Sequence, residues 1–531
     1  MRGFLRRFFS DPKGNVAILF AIAVVPVIGA MGAAVDYSMA SAQRVSMQAA
    51  VDATALALAK IMPATQTELD ARGKEWFQAN MGPTPLTNVT LTISGTTGKL
   101  NVEAHGIYQP ELISVLGTSA FPVSAKAQVK WGNTRLRIAL VLDVTGSMSS
   151  AGKMPALKTA TKNLLNQLKA AAVVNGDVYV SIVPFSKDVA VATSNFNANW
   201  VDFTEWEAPP PYMATWLASS ANRTTWAQTG PGSTCPFTNS SHGFRCASTP
   251  TTGSSTTTTI PSSGTFSGYI CPGLDNGARV AAKVGIYYNG CYRSVTISTG
   301  SSASCGSASD CFCGGSGSSR VCRQHTWRPA GTPAATARST WNGCMTDRNK
   351  DPVGTADYDT KNTAPSAPGT LFPAEQYSSC PTQVMGLSYD WTALTNKIDA
   401  LVPAGNTNQA IGLAWGWQTL TSAPFTIPPA DPSYTYKQAI VLLSDGLNTQ
   451  DRWYTSAASI DARQALTCNN VKATGVIVYT VQVNTDGDPT STVLKNCATD
   501  SNKFFMLTSG SQIVTTFQQI ATELADMHLS Q

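Results

Sequence analysis

The run Ile138-Ala139-Leu140-Val141-Leu142-Asp143 constrains the fold more than any other part of the chain. An unbroken apolar segment of strand length reads as a strand buried on both faces, the mark of a parallel sheet. It ends on an aspartate, and Thr145 and Ser147 follow at alternate positions. In open α/β sheets the carboxyl ends of the strands border the crevice where ligands bind. Oxygens of Asp143, Thr145 and Ser147 are therefore expected at one spot, a donor set suited to a hard divalent cation.

The surrounding pattern agrees. Helical periodicity over Met154–Ala172 follows the first strand, and a second apolar strand covers Val178–Pro184. Further on, helices are expected near Trp391–Leu401, Asn408–Leu420, Ile460–Lys472 and Gln512–Ala525. Strands are expected at Gln438–Leu443, Val476–Val483 and Lys503–Leu507. Strands separated by helices imply parallel crossovers and a doubly wound sheet.

Toward the N-terminus the chain changes character. Val16–Val35 is twenty apolar or small residues without a charge. As a helix it spans roughly 30 Å, the thickness of a hydrocarbon core. Arg2, Arg6, Arg7 and Lys13 precede it and Asp36 follows, so residues 1–15 are expected in the cytoplasm and the remainder outside. The Ala40-Ser41-Ala42 string also permits a cleaved signal peptide, although the apolar core exceeds the usual 7–15 residues. Residues 36–132 read as a juxtamembrane helix and a small α+β domain. Met47, Val51, Ala55 and Leu58 form one helical stripe, suited either to the chain's own small domain or to a partner helix. A second helix is expected over Thr65–Met81, then a hairpin of Val89–Ile93 and Leu100–Tyr108, then a strand at Val123–Trp131.

All twelve cysteines lie at or beyond Cys235, and ten fall within 190–385, between sheet segments 133–189 and 386–531. In an exported chain that density reads as disulfides. The stretch is rich in Ser, Thr and Gly, notably Thr251–Ser263 and Ser298–Ser319, and poor in aliphatic residues. A crosslinked, loop-rich insertion with short strands such as Val284–Tyr288 is expected, the alternative being a flexible low-complexity excursion. The Cys311-Phe312-Cys313 pair fits no four-ligand zinc spacing well. Cys468 and Cys497 stand apart and would staple the last third of the sheet. Only 13% of residues are charged, and the basic ones are scattered. No nucleic-acid surface is expected.

Two further loops match the first. Pro403-Ala404-Gly405-Asn406-Thr407 precedes a helix and offers the Thr407 hydroxyl, and Leu442-Leu443-Ser444-Asp445-Gly446 is an apolar strand ending on an aspartate. Together with Asp143-Val144-Thr145-Gly146-Ser147, they resemble the metal-ion-dependent adhesion site of von Willebrand factor A domains. The resemblance implies an α/β, von Willebrand factor A-type sheet. It also implies a bound Mg2+, or another divalent cation such as Mn2+ or Ca2+, held by Asp143, Thr145, Ser147, Thr407 and Asp445. Such a cation would accept a carboxylate from a protein partner. The alternative that Asp143 and Asp445 merely cap helices does not require Thr407 or the alternating hydroxyls.

An enzyme reading starts from the likeness of Asp143–Ser147 to the aspartyl-phosphate loop of haloacid-dehalogenase-type phosphotransferases. Ser444-Asp445-Gly446-Leu447-Asn448-Thr449 half-matches their second loop, with Thr449 where an acid is required. The four histidines, His105, His242, His325 and His528, stand beside no motif-like nucleophile, and no enzymatic activity is expected.

At the N-terminus, Gly14-Asn15-Val16-Ala17-Ile18-Leu19-Phe20, the Ala34-Val35-Asp36-Tyr37 string and Gln48–Ala57 are similar to the TadE/TadG-like segment of Tad (Flp) pilus-assembly proteins. Prepilins of that system carry a glutamate five residues after the processing glycine. Leu19 stands there in this chain. The resemblance implies a bacterial inner-membrane protein anchored by residues 16–35, with its bulk periplasmic and surface exposure open. It would assist pilus assembly or surface adhesion and bind pilus or envelope components. The competing expectation is a structural scaffold whose metal site is vestigial.

Overall fold

The computed structural model describes residues 15–61, 64–96, 99–113, 120–130, 134–210, 212–236, 259–270, 290–328, 337–350, 356–421, 423–432 and 434–529. The expected strand Val284–Tyr288 lies outside them. The chain forms two compact units that divide after Thr134.

In the first unit a single helix, α1 (Asn15–Ala59), carries the apolar run and continues past it with Pro26 inside. From Leu19 onward it is long and apolar enough to cross a bilayer. Met47, Val51, Ala55 and Leu58 are all fully buried in the unit's own core, so the stripe serves intramolecular packing. Helix α2 (Gln66–Met81) starts where Thr65 caps it, and Glu68 bonds back to the Thr65 backbone as a reciprocal capping box. Strands β1 (Leu86–Thr96), β2 (Lys99–Tyr108) and β3 (Phe121–Lys130) form an antiparallel meander. One face of β2 alternates into the core, as a half-buried strand should. The buried Asp36 carboxylate accepts the backbone N–H groups of Glu111, Leu112 and Ile113 at 3.3, 2.9 and 2.7 Å, which pins α1 to the segment after β2.

The second unit is built on six strands: β4 (Thr134–Asp143), β5 (Val178–Phe185), β6 (Met385–Ser388), β7 (Thr435–Ser444), β8 (Ile477–Val483) and β9 (Phe504–Leu507). Their order across the sheet is β6-β5-β4-β7-β8-β9. The pairs β4–β5, β7–β8 and β8–β9 are parallel, and β6 runs antiparallel at the edge. Alternate residues of β4 feed two cores. Leu136, Ile138, Leu140 and Leu142 pack with helices α3 (Lys153–Ala171), α4 (Trp391–Asp399) and α8 (Gln512–Leu529). Ala139 and Val141 face the opposite core, with α5 (Gln409–Thr421), α6 (Ala457–Ala473) and α7 (Thr492–Cys497). Helix α5 lies unusually close to the sheet: a Cβ at Gly412 would sit 2.6 Å from Phe185 and one at Gly416 2.4 Å from Val141. Cys468 and Cys497 are joined and tie α6 to α7.

The interposed segment departs from the expectation of a region too poor in aliphatics for a core. Phe203, Trp206, Trp341, Met345 and Phe372 are buried in the sheet's second core. Aromatic rings supply the apolar area that missing Leu, Ile and Val would have given. Disulfides join Cys305 to Cys311, Cys313 to Cys322 and Cys344 to Cys380, and Cys235 and Cys291 are also disulfide-bonded. A smaller sheet contains Tyr269–Ile270, Cys291–Thr299, Cys311–Gly314 and Val321–Arg328. There His325 stacks on Trp226 at 4.0 Å, and its Nε2 donates to the Thr229 carbonyl at 2.9 Å.

Burial pushes the His325 pKa down from the ordinary imidazole value to about 4. The unfolded chain therefore binds this proton more readily than the folded one. Its contribution is complete above pH 6.5, is lost as pH falls toward 4, and amounts to about 3 kcal/mol over that window. We expect the urea midpoint of the wild type to fall more steeply between pH 7 and pH 4.5 than that of His325→Gln. Parallel curves would contradict this account.

Candidate metal site

The three loops singled out in the sequence meet at the carboxyl edge of the large sheet. Strand β4 delivers Asp143, which is fully buried. Its Oδ1 accepts the Thr145 backbone N–H at 2.8 Å and its Oδ2 accepts the Ser444 hydroxyl at 2.6 Å. The Thr145 and Ser147 hydroxyl oxygens are 3.0 Å apart, and Ser147 Oγ donates to Asp445 Oδ1 at 2.7 Å. The first and third loops thus share one polar cluster.

The second loop is bound to the first by its backbone. Ala404 N–H donates to Val144 at 2.7 Å, and Gly146 N–H donates to Gly405 at 3.0 Å. Gly405 takes φ +86°, in the left-handed region where a side chain is costly. Thr407 is buried. Its N–H donates to Thr449 Oγ1 at 2.8 Å, and its carbonyl accepts from Thr449 N at 2.9 Å. Gln409, the first residue of α5, closes the ring, with its Nε2 donating to Ser444 Oγ at 3.0 Å and to Gly446 O at 2.9 Å. All five expected ligands, Asp143, Thr145, Ser147, Thr407 and Asp445, belong to these interlocked loops.

Burial, and then the neighbouring Asp445 charge, push the Asp143 pKa up to about 7, while bonds from Ser444 and Thr145 pull against that rise. Two carboxylates sharing one dry crevice leave negative charge in excess of what hydroxyls can satisfy. Asp143, Thr145, Ser147 and Asp445 share one hydrogen-bonded cluster, and Thr407 is held in the adjoining loop through its backbone. The cluster's two carboxylates and two hydroxyls are all oxygen and fit a hard divalent cation. Bound there, the ion would add positive charge beside Asp143.

Sequence reasoning missed Lys153. Its side chain is fully buried, and Nζ lies 2.8 Å from both Asp445 Oδ2 and Asp486 Oδ2. Burial disfavours that ammonium, yet the bonds to the two carboxylates outweigh it and raise the pKa. The available signal was a lysine opening a helix whose first turn holds no acid, against the positive end of the helix dipole.

A second buried network adjoins the crevice. Lys187 Nζ bonds both oxygens of Glu375 at 2.6 Å and lies 3.4 Å from Asp188 Oδ1, all three side chains being buried. Burial and the Glu375 charge drive the Asp188 pKa well up. Asn408, next to Thr407, donates to the Lys187 carbonyl at 3.2 Å and to Asp347 Oδ2 at 2.9 Å. Asp347 is pushed up to about 8 by burial and by the charges of Asp451 and Asp359. The interposed segment, through Asp347 and Glu375, thereby fixes the base of the second crevice loop.

Fold and site together define a mixed α/β protein with an oxygen-lined crevice at its strand ends and one apolar N-terminal helix. Residues 14–59 match the family described as putative Flp pilus-assembly TadE/G-like. No curated protein matches the chain. Among solved structures it is similar to the pilus adhesin SpaC from Lactobacillus rhamnosus GG, with 11% identity and TM-score 0.30 over 83% of this chain and 34% of that one. It is also similar to the vWF domain of the type V pili tip protein Mfa5 from Porphyromonas gingivalis, with 8% identity and TM-score 0.31 over 75% and 97% of the two chains. A third is proximal thread matrix protein 1 from the mussel byssus with a zinc-occupied MIDAS motif, at 10% identity and TM-score 0.20 over 74% and 96%. The chain spans about a third of the length of SpaC.

Proposed function

We propose that this is a membrane-anchored, non-enzymatic accessory protein of Tad/Flp pilus assembly or surface adhesion, located in the bacterial inner membrane. Residues 16–35 of α1 anchor it, with residues 1–15 cytoplasmic and the bulk periplasmic. Its second unit acts as a von Willebrand factor A-type domain that binds an acidic group on a pilus or envelope protein through a divalent cation. The TadE/G-like segment at 14–59 supports the pilus setting.

One observation carries the binding reading: three loops far apart in sequence interlock around Asp143, Thr145, Ser147 and Asp445. Asp143 and Asp445 are engaged by Ser444 and Ser147, which leaves the hydroxyls as neutral direct ligands. A cation held mainly by neutral oxygens stays electrophilic and accepts a partner's carboxylate at an open position. Mg2+ is the expected ion, with Mn2+ or Ca2+ as substitutes.

The test is the melting temperature of the full-length chain in Mg2+ against chelator, paired with crosslinking pull-down from envelopes. Mg2+ should raise the melting temperature of the wild type and not that of Asp143→Ala, and chelator should abolish partner capture. No shift, together with unaltered pilus output in Asp143→Ala, would leave a structural scaffold instead. Turnover of a generic phosphomonoester lost in Asp143→Asn would favour a phosphotransferase.

A further inference from the structure

Lys153 brings a fixed positive charge into the crevice. The chain enters α3 through Ala151 and Gly152, at φ +50° and +68°, and the first helical residue is this lysine. A left-handed alanine is uncommon, so local backbone preference does not place Lys153 there. Nor does the helix dipole, which repels a cation at that end. Two carboxylates hold it, and they differ in one respect: the Asp445 side chain is buried, whereas that of Asp486 is 56% exposed.

We propose that Lys153 sets the cation threshold of the crevice. Its ammonium is a built-in counter-ion that competes with an incoming divalent cation for Asp445. Asp486 is the carboxylate that retains the ammonium once the cation has entered. This rests on the reading of the crevice as a cation site and adds a regulating residue to it.

Without an external ion, the crevice holds the Asp143 and Asp445 carboxyl groups and one positive charge, the Lys153 ammonium bonded to Asp445. An arriving divalent cation meets that positive charge in surroundings where charges interact several-fold more strongly than in water. Affinity is therefore lower than the same oxygen donors alone would give. Asp486, in the loop after β8, is solvent-exposed and stays within bonding distance, so it keeps the buried ammonium partly paired when Asp445 turns to the metal. Loading becomes an exchange in which the Asp445 charge balances the metal instead of the ammonium, and Lys153 stays paired with Asp486.

The experiment measures Mn2+ affinity of the full-length protein by the resonance signal of free Mn2+, in wild type, Lys153→Met and Asp486→Asn. Lys153→Met should bind on the order of tenfold more tightly or better. Asp486→Asn should bind several-fold more weakly, because the ammonium then has Asp445 alone. Asp486→Asn alters an exposed side chain, so the second arm stands even if Lys153→Met fails to fold. Equal affinity in wild type and Lys153→Met, or no weakening in Asp486→Asn, would overturn the inference while leaving the cation site in place. No Mn2+ uptake by any of the three proteins would remove the cation site and the inference with it.

Discussion

In chelator, Asp445→Ala should destabilise the second unit by about 3–5 kcal/mol, the cost of breaking a buried ion pair from one side. The lost carboxylate accepts from Ser147 and Lys153, and the lysine side chain it leaves behind is fully buried. Asp486 remains bonded to that ammonium but is solvent-exposed, so it offsets only part of the loss. Removing both partners should be milder. The double variant Asp445→Ala/Lys153→Met is expected to lose less than Asp445→Ala alone, because no uncompensated charge stays inside. Urea denaturation followed by tryptophan fluorescence reads both. Losses that simply add would mean that Lys153 and Asp445 do not depend on one another.

A comparable effect is expected at Lys187, away from the proposed ligands. Lys187→Met deprives Glu375 and Asp188 of their shared cation, and both acids are buried. The expected loss is again about 3–5 kcal/mol at neutral pH. It should shrink as pH falls, since protonating the stranded Asp188, whose pKa burial already pushes well up, removes a charge that has no partner. Denaturation midpoints of variant and wild type at pH 7.5 and pH 5 test this. A penalty that grows on acidification would show that the acids are not what Lys187 stabilises.

The large sheet was legible because its central strands are buried on both faces, and such strands are written as plain apolar runs. Strands β4, β5, β7 and β8 lie within a few residues of where those runs predict them. Helix α2 was legible for a local reason, the Thr65–Glu68 capping pair at its start. The crevice loops could be found because each sits where a strand ends or a helix begins. Lys153 could not be placed in the same way: its partner Asp445 is 292 residues distant, and only the folded chain brings them together. The aromatic core of the interposed segment escaped for a similar reason. Phe203, Trp206, Trp341 and Phe372 show no period of their own and become a core only against the face made by Val141 and Val183.

The closeness of α5 to the sheet has a mechanical consequence. At Gly412 and Gly416 the helix surface rests on Phe185 and Val141 with room for hydrogen alone. A rod seated that tightly cannot bend locally, so a pull applied at Thr407 is borne along its thirteen residues, roughly 20 Å. At the far end Thr421 accepts a hydrogen bond from Asn362, within the disulfide-bearing segment. Tension from a partner held at the proposed site would therefore be shared across the second unit rather than concentrated on the Thr407 loop.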